Sequence, residues 1–552
     1  MSSGTDSPGE RHGGRRTATL AVILSACACA LATPGAARGA DVSEALTARL
    51  AAAVDREIPV VVTLAEQVDE TRYAGRPAAL VRALRATAGR TQWGVTARMD
   101  DPARRFWLVN AVATRASAAE VSALAADPAV AAIDLDPTIT VAGSASTWLT
   151  AGSWGVGGID APSAWSTYGV TGTGVRIGSI DTGVDATNPE LAGAIAGWKD
   201  FVAGQSTPYD DNGHGSHTIG TMVARNVGGG AIGVAPGAQV IVAKAIRADG
   251  TALGSDLLAA AQWITDPDGD PATPDFPAVV NNSWTSAGAN DEWFRPMVQT
   301  WVAMGIVPVF GVGNTYGGPG NPASYPESIA VGALEEAGGV AANSSRGSVT
   351  WTGPDGTAIT IGKPDITAPG TLITSTVGSG YGVYSGSSMA APHVAATVAL
   401  IKQARPDLGP DGIRAALVAG AADRGIPGPD LDYGAGALDA AAAVAAAGAV
   451  QIAPAAPISA TKVRVLRVTR RGATLVIKGR VSGPARLKAQ IRRSGKAQSS
   501  RGRTSTSVSR RAGGFTLRVP ARALKRGRYV VVVTASNESG DRLGGASRAV
   551  RL

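Results

Sequence analysis

The chain holds only four histidines, His12, His214, His217 and His393, so each can be weighed singly. His214 lies in "DDNGHGSHTIG" between two glycines, which leaves its ring approachable, and an imidazole titrates close enough to neutrality to carry a proton either way. "IGSIDTGVD" closes an apolar run on Asp181. A carboxylate there is tolerated only with a partner, and an imidazole N–H would satisfy it while fixing the histidine tautomer. "SGSSMAAPHVA" places Ser387 and Ser388 after Gly386 at the start of a helical stretch, with Pro392 read into its first turn. A serine hydroxyl is a poor nucleophile until a base and donors for the oxyanion are supplied. Asn314, which ends "IVPVFGVGN", can offer its side-chain amide as such a donor beside the Ser388 backbone N–H. Carboxylate, imidazole, hydroxyl and amide together are the parts of acyl transfer through a covalent intermediate. Taken alone, either serine is equally a helix N-cap, and the residues themselves do not decide between Ser387 and Ser388.

These side chains need a scaffold that gathers them. Between about 154 and 450, short continuous apolar runs alternate with helical segments: "GVRIGSID" (174–181), "AQVIVAKAI" (238–246), "FPAVVNNSW" (276–284) and "IVPVFGVGN" (306–314). Runs of that kind are strands buried on both faces, so a parallel sheet covered by helices is expected, with functional residues at the carboxyl ends of its strands. Asp181, Asn281 and Asn314 all close such runs. Upstream, strands are expected at 58–66, 104–114 and 130–141, and helices at 76–90 and 117–128, the latter with Ser117 and Glu120 as a capping box. That alternation suits a ferredoxin-like α+β unit. A glycine-containing polar stretch, 142–158, reads as an exposed linker. Downstream of "APAAP" (453–457), short alternating strands separated by turn signals predict a β-sandwich of about seven strands.

"SIDTGVD", "NGHGSHTIGTMV", "VFGVGN" and "SGSSMAAPHVA", in that order, resemble the blocks of the subtilisin-like serine proteases, or subtilases, over about residues 154–445. "WGVGGIDAPSAW" and "PDGDPATPDFPAVVNNSW" are similar to the bacillopeptidase F-like branch. The resemblance implies that Asp181 orients His214, His214 is general base and acid, Ser388 rather than Ser387 attacks, and Asn314 stabilises the oxyanion. His217 and His393 would be structural. Ser283 and Trp284 would line the cleft where an extended substrate pairs by β-augmentation, and Gly311 and Gly313 would flank the specificity pocket. "NNSWTSAG" stands where many members carry a glycine soon after the serine. Residues 41–142 resemble the family's self-cleaved inhibitory propeptide, 143–450 the catalytic domain, and 451–552 a basic β-rich tail. The expected activity is that of a secreted serine endopeptidase acting on proteins or peptides as a monomer. No organic cofactor is required; a structural calcium follows by family analogy only.

Composition fits this organisation. The chain of 552 residues is 45% apolar and 17% charged, ordinary for a globular protein. "RHGGRR" (11–16), the apolar run 17–33 and "ALA" (30–32) form an export signal over residues 1–40, and the only cysteines, Cys27 and Cys29, lie inside it. The net charge of +8 hides an asymmetry: residues 461–552 carry +22 and the remainder −14. A basic sheet face there could hold anionic cell-wall polymers, which makes a secreted binding protein with a protease scaffold the rival reading. No aromatic interleaving points to nucleic acid. "DTG" (181–183) occurs without the second carboxylate loop of an aspartic protease. His214 and His217 lack the glutamate of a metalloprotease helix motif. "DPDGDPATPD" (266–275) lacks the calcium-loop pattern of an EF-hand and reads as a solvated surface insertion, so no metal ligands are named.

Overall fold

The computed structural model describes residues 39–52, 56–99, 103–141, 144–146, 153–227, 230–286, 291–352, 357–449, 463–481, 485–493, 503–510, 513–520, 528–536 and 542–551. The export-signal segment up to residue 38, the "APAAP" stretch and the linker residues 142–143 and 147–152 lie outside them. Among the described residues no helix is long and apolar enough to cross a membrane.

Seven parallel strands form the central sheet, in the order Ile366–Pro369, Ile329–Leu334, Val307–Gly311, Val279–Asn282, Arg176–Asp181, Gln239–Lys244, Ile195–Asp200. From Arg176–Asp181 the chain goes to the edge strand Ile195–Asp200, returns to insert Gln239–Lys244 between the two, then crosses to Val279–Asn282 and builds outward on the other side. The boundary between Arg176–Asp181 and Val279–Asn282 is therefore the topological switch point, where the loops diverge and leave a crevice. Helices cover both faces. The helix Ser387–Ala404 is buried from Ser387 through Ile401. Its run of alanine, valine and leucine lacks a polar face because it has no solvent side.

Residues 39–141 fold around the strands Ile58–Leu64, Arg104–Phe106, Ala111–Ala116 and Val130–Leu135, with helices Pro77–Thr96 and Ala118–Ala125. The β-α-β-β-α-β order is ferredoxin-like, extended by a short strand Asp41–Val42 beside Val130–Leu135. Two expected strands are each divided. Residues 104–114 turn at 107–110, with Asn110 at φ 42°, and double back as a pair. Residues 130–141 break at Asp136–Pro137, after which Thr138–Thr140 joins a different sheet. Ser117 and Glu120 make the predicted reciprocal capping box. The unit packs on the helix Gly254–Thr265: Gln262 Oε1 accepts from the backbone N–H of Trp107 (2.6 Å) and Leu108 (3.2 Å). Arg104 pairs with Asp256 at 2.7 Å. Phe106 and Leu108 share one apolar cluster with Ile264 and Trp301.

Seven strands after residue 462 form sheets of three and four, and Leu475, Ile477, Phe515, Leu517, Val531 and Val533 alternate inward. Arg464, Arg467, Lys478 and Arg480 are exposed.

A close backbone approach fixes the position of the helix His214–Val223. A Cβ added at Gly215 would lie 2.2 Å from the carbonyl oxygen of Gly183, so the helix meets the turn after Asp181 only because residue 215 has no side chain. Gly215→Ala should therefore separate the two and lower stability by about 1–3 kcal/mol. Gly89→Ala, inside the helix Pro77–Thr96 where an added Cβ meets nothing within 4 Å, should be neutral or stabilising by up to about 1 kcal/mol. Denaturant midpoints of the two variants check this.

Candidate active site

At the carboxyl end of its strand, Asp181 is fully buried. Its Oδ1 accepts from His214 Nδ1 at 2.7 Å and from the Thr182 N–H at 2.7 Å, and its Oδ2 accepts from Thr218 Oγ1 at 3.1 Å. Thr218 lies four residues beyond His214 on the same helix face, so the helix that carries the imidazole also holds the carboxylate that orients it. His214 is not open to solvent as its flanking glycines led one to expect; it is only 3% exposed. Burial lowers the affinity of its ring for a proton, but the charge and hydrogen bond of Asp181, with Asp210 beyond, outweigh that, and the net pKa shift is upward. His214 Nε2 has no hydrogen-bond partner among the described residues.

Asp210 secures the start of this helix. Its carboxylate accepts from Thr182 Oγ1 (2.9 Å), the Gly213 N–H (2.8 Å), and the Ser216 N–H and hydroxyl (both 2.7 Å). Burial opposes its ionisation, but these donors prevail and hold its pKa below the usual range. Lys244, entirely buried, extends the brace: Nζ donates to the Thr182 carbonyl (2.5 Å) and to Asp211 (2.6 Å).

The N-cap of the serine helix is Gly386, at φ 147°; Ser387 and Ser388 are its first two residues, so neither serine is the cap. A Cβ at Gly386 would come 3.1 Å from Asn314 Nδ2. Ser387 is a brace: its N–H donates to Asn314 Oδ1 (2.8 Å) and its hydroxyl accepts from the Gly313 N–H (3.1 Å). With its oxygen end so held, the other end of the Asn314 carboxamide is purely a donor. The Ser388 hydroxyl donates to the Ser283 carbonyl at 3.0 Å, and the Ser283 hydroxyl donates back to the Ser388 carbonyl at 2.8 Å. Pro392 explains the second bond. It lies inside the helix rather than in its first turn, and its missing N–H is the one that would have bonded the Ser388 carbonyl. The vacated acceptor is taken by Ser283.

A cavity of about 590 Å³ is lined by Ser283, Trp284, Gly311, Gly313, Asn314, Ser387 and Ser388. Trp284 contributes backbone, because its ring is buried between Phe294 (5.3 Å) and Phe310 (5.5 Å). Thr138 and Thr140 of the N-terminal unit line the same cavity. There the strand Thr138–Thr140 pairs antiparallel with Thr251–Leu253, and the Val141 N–H donates to the Gly250 carbonyl at 2.8 Å. Three residues further on, within the expected linker, Ser144–Ser146 is a strand that pairs with Val383–Ser385. His217 and His393 lie outside this set. The His217 ring stacks on Tyr384 at 4.5 Å and donates to the Ile373 carbonyl, and burial takes its pKa down to about 3. His393 Nδ1 donates to the Met389 carbonyl, and burial takes its pKa down to about 4.

Fold and site together define an α/β hydrolytic scaffold with a buried Asp–His pair and a helix-borne serine at the switch point of a parallel sheet. Residues 172–436 match the Subtilase family model. The chain is 41% identical over 324 residues to Bacillopeptidase F of Bacillus subtilis (strain 168), spanning 53% of this chain and 22% of that one. It is 33% identical over 303 residues to an Alkaline protease of Alkalihalobacillus alcalophilus, covering 54% of this chain and 71% of the relative. To Subtilisin E of Bacillus subtilis (strain 168) it is 32% identical over 310 residues, 55% of this chain and 73% of the relative. The chain belongs to the subtilase family. It spans about a fifth of the length of Bacillopeptidase F but more than two thirds of the other two relatives.

The upward shift at His214 owes more to Asp181 than to the more distant Asp210. In the Asp181→Asn variant burial remains while the carboxylate is lost, so the His214 pKa should fall from above to below the ordinary value of about 6.5. NMR titration of the imidazole C–H resonances, with His217 and His393 staying neutral to about pH 4, checks it.

Proposed function

We propose that the protein is a secreted serine endopeptidase, made as a precursor that cuts itself, with Asp181, His214 and Ser388 as its triad. One observation carries this reading: the buried 2.7 Å Asp181–His214 bond makes Nδ1 the donor and leaves His214 Nε2, without a hydrogen-bond partner among the described residues, as the ring's proton acceptor, on a helix that packs against the one bearing Ser388. In the proposed relay the Ser388 hydroxyl turns from the Ser283 carbonyl to donate to that nitrogen. Ser388 Oγ then attacks the substrate carbonyl carbon as its proton passes to His214 Nε2. The imidazolium is stabilised by Asp181, and the oxyanion by the Asn314 Nδ2–H and the Ser388 N–H at the positive end of its helix. Collapse of the tetrahedral intermediate breaks the C–N bond, and His214 returns the proton to the leaving amine. Water, deprotonated by the same nitrogen, then hydrolyses the acyl-enzyme.

The N-terminal unit fits the role of a propeptide that inhibits by occupying the cleft. Backbone pairing holds the chain at Thr138–Val141 and again at Ser144–Ser146. A cut by Ser388 near residue 142 would release the N-terminal unit. Export rests on the sequence signal at residues 1–40. The rival reading, a binding protein that uses the basic tail, has no support from the relatives, which are named as proteases.

The purified precursor should lose a fragment ending within the linker at about 142–153, while Ser388→Ala stays intact; intact mass over time after folding reads both. Two stable chains that also leave an unfolded protein substrate uncut would end the enzyme reading. Asn314→Ala should process about 10²–10³-fold more slowly, the range typical of one oxyanion donor. Because His214 must be neutral to act and its pKa is raised, the acidic limb of kcat/KM should fall above about pH 6.5.

A further inference from the structure

The insertion 266–275 is largely exposed, as its composition led one to expect, with Asp266 the exception. Asp266, which caps the helix Gly254–Thr265, is only 6% exposed, and neither Asp266 Oδ1 nor the enclosed Asp275 Oδ1 has a hydrogen-bond partner among the described residues. Oxygens of Asp266, Asp268 and Asp275 lie within 4.8 Å of one another. Three carboxylates at that spacing repel, and buried unpartnered oxygens cost free energy unless a cation supplies what is missing.

One cation reaches in from the N-terminal unit. Arg85, on the helix Pro77–Thr96, places Nη2 2.6 Å from Asp266 Oδ2 and donates from Nη1 to the Gly269 carbonyl at 2.7 Å, with its guanidinium 4.9 Å from the centre of the Trp107 ring. Arg176 lies to one side, donating to the Asp275 carbonyl at 3.1 Å. Asp268 is held by the Asp270 N–H (2.7 Å) and Thr273 Oγ1 (2.6 Å), and its own N–H donates to Asp275 Oδ2 (2.8 Å). The guanidinium thus stands where a metal ion would share the oxygens of Asp266 and Gly269. Every donor is a hard oxygen, with no histidine or cysteine among them, a set suited to calcium rather than to zinc or copper.

We propose that Asp266, Asp268 and Asp275, with the Gly269 carbonyl, form a calcium site that Arg85 fills in the precursor and that becomes available to the metal when the N-terminal unit departs. The exchange rests on the propeptide reading given above; the site does not. A metal bound there opposes return of the released unit, because Arg85 and the ion compete for the same oxygens.

Terbium, a luminescent substitute for calcium, tests the site in the full-length Ser388→Ala chain, where nothing is cleaved and failed processing cannot confuse the result. Trp263, whose indole N–H donates to the Pro267 carbonyl at 3.1 Å, is placed to sensitise the ion. Adding Arg85→Ala should lower the terbium concentration for half-maximal tryptophan-excited emission at least tenfold, with calcium reversing the signal. Adding Asp268→Asn, at an exposed position that the fold tolerates, should raise it again at least fivefold. Equal titrations with and without Arg85, or a signal that Asp268→Asn does not shift, would overturn the proposal. If Arg85→Ala does not fold, Asp268→Asn in the Ser388→Ala parent decides: weaker terbium emission supports the site, and an unchanged titration rejects it. Loss of self-cleavage in the unmodified chain, together with a positive terbium result, would remove the exchange and keep the site.

Discussion

Burying the Asp181 carboxylate is the constraint on which this site depends. A charge removed from water must be met by donors, and the fold supplies them from three directions: the His214 imidazole, the Thr218 hydroxyl and the Thr182 amide. Two of the three ride on one helix, so its start must be placed accurately. A second carboxylate, Asp210, does that by collecting amides at the helix start and the hydroxyl of Thr182. Lys244, from the neighbouring strand, anchors the Thr182 carbonyl. The chemistry therefore rests on nested polar groups, each satisfied by the next, inside an otherwise apolar sheet.

The serine side is built differently, from backbone geometry. Gly386 takes a conformation that few residues with a side chain adopt, and Pro392 leaves a carbonyl without its helical partner. The Ser283 hydroxyl takes up that carbonyl, tying the helix start to the strand that walls the cleft. Ser387, beside Ser388, commits both its polar groups to Asn314 and Gly313.

Much of this was legible in the sequence because it is local. Continuous apolar runs gave the parallel strands, and polar residues at their ends marked the crevice. Asp181, His214, Asn314 and Ser388 stood in four separate segments, and it was their order along the chain that identified the set. What was not legible depends on distant partners. The strand breaks near 107–110 and at Asp136–Pro137 follow from which sheet each half joins, and no local pattern encodes that. Asp266 looked solvated because its neighbours are polar and acidic; its burial comes from a helix 180 residues upstream. His214 looked open because its neighbours are glycines, yet Gly215 serves close packing instead. Thr218 could have been found, since its spacing of four from His214 on a helix sets both on one face.

The strand Thr138–Thr140 stands at the cavity as part of the same chain. Because that segment is covalently attached, its local concentration is fixed by geometry and does not change on dilution. On the propeptide reading proposed above, added substrate becomes an ordinary competitor only once the backbone is cut. The two parts would then obey mass action, and a property of one molecule would become a dissociation constant between two.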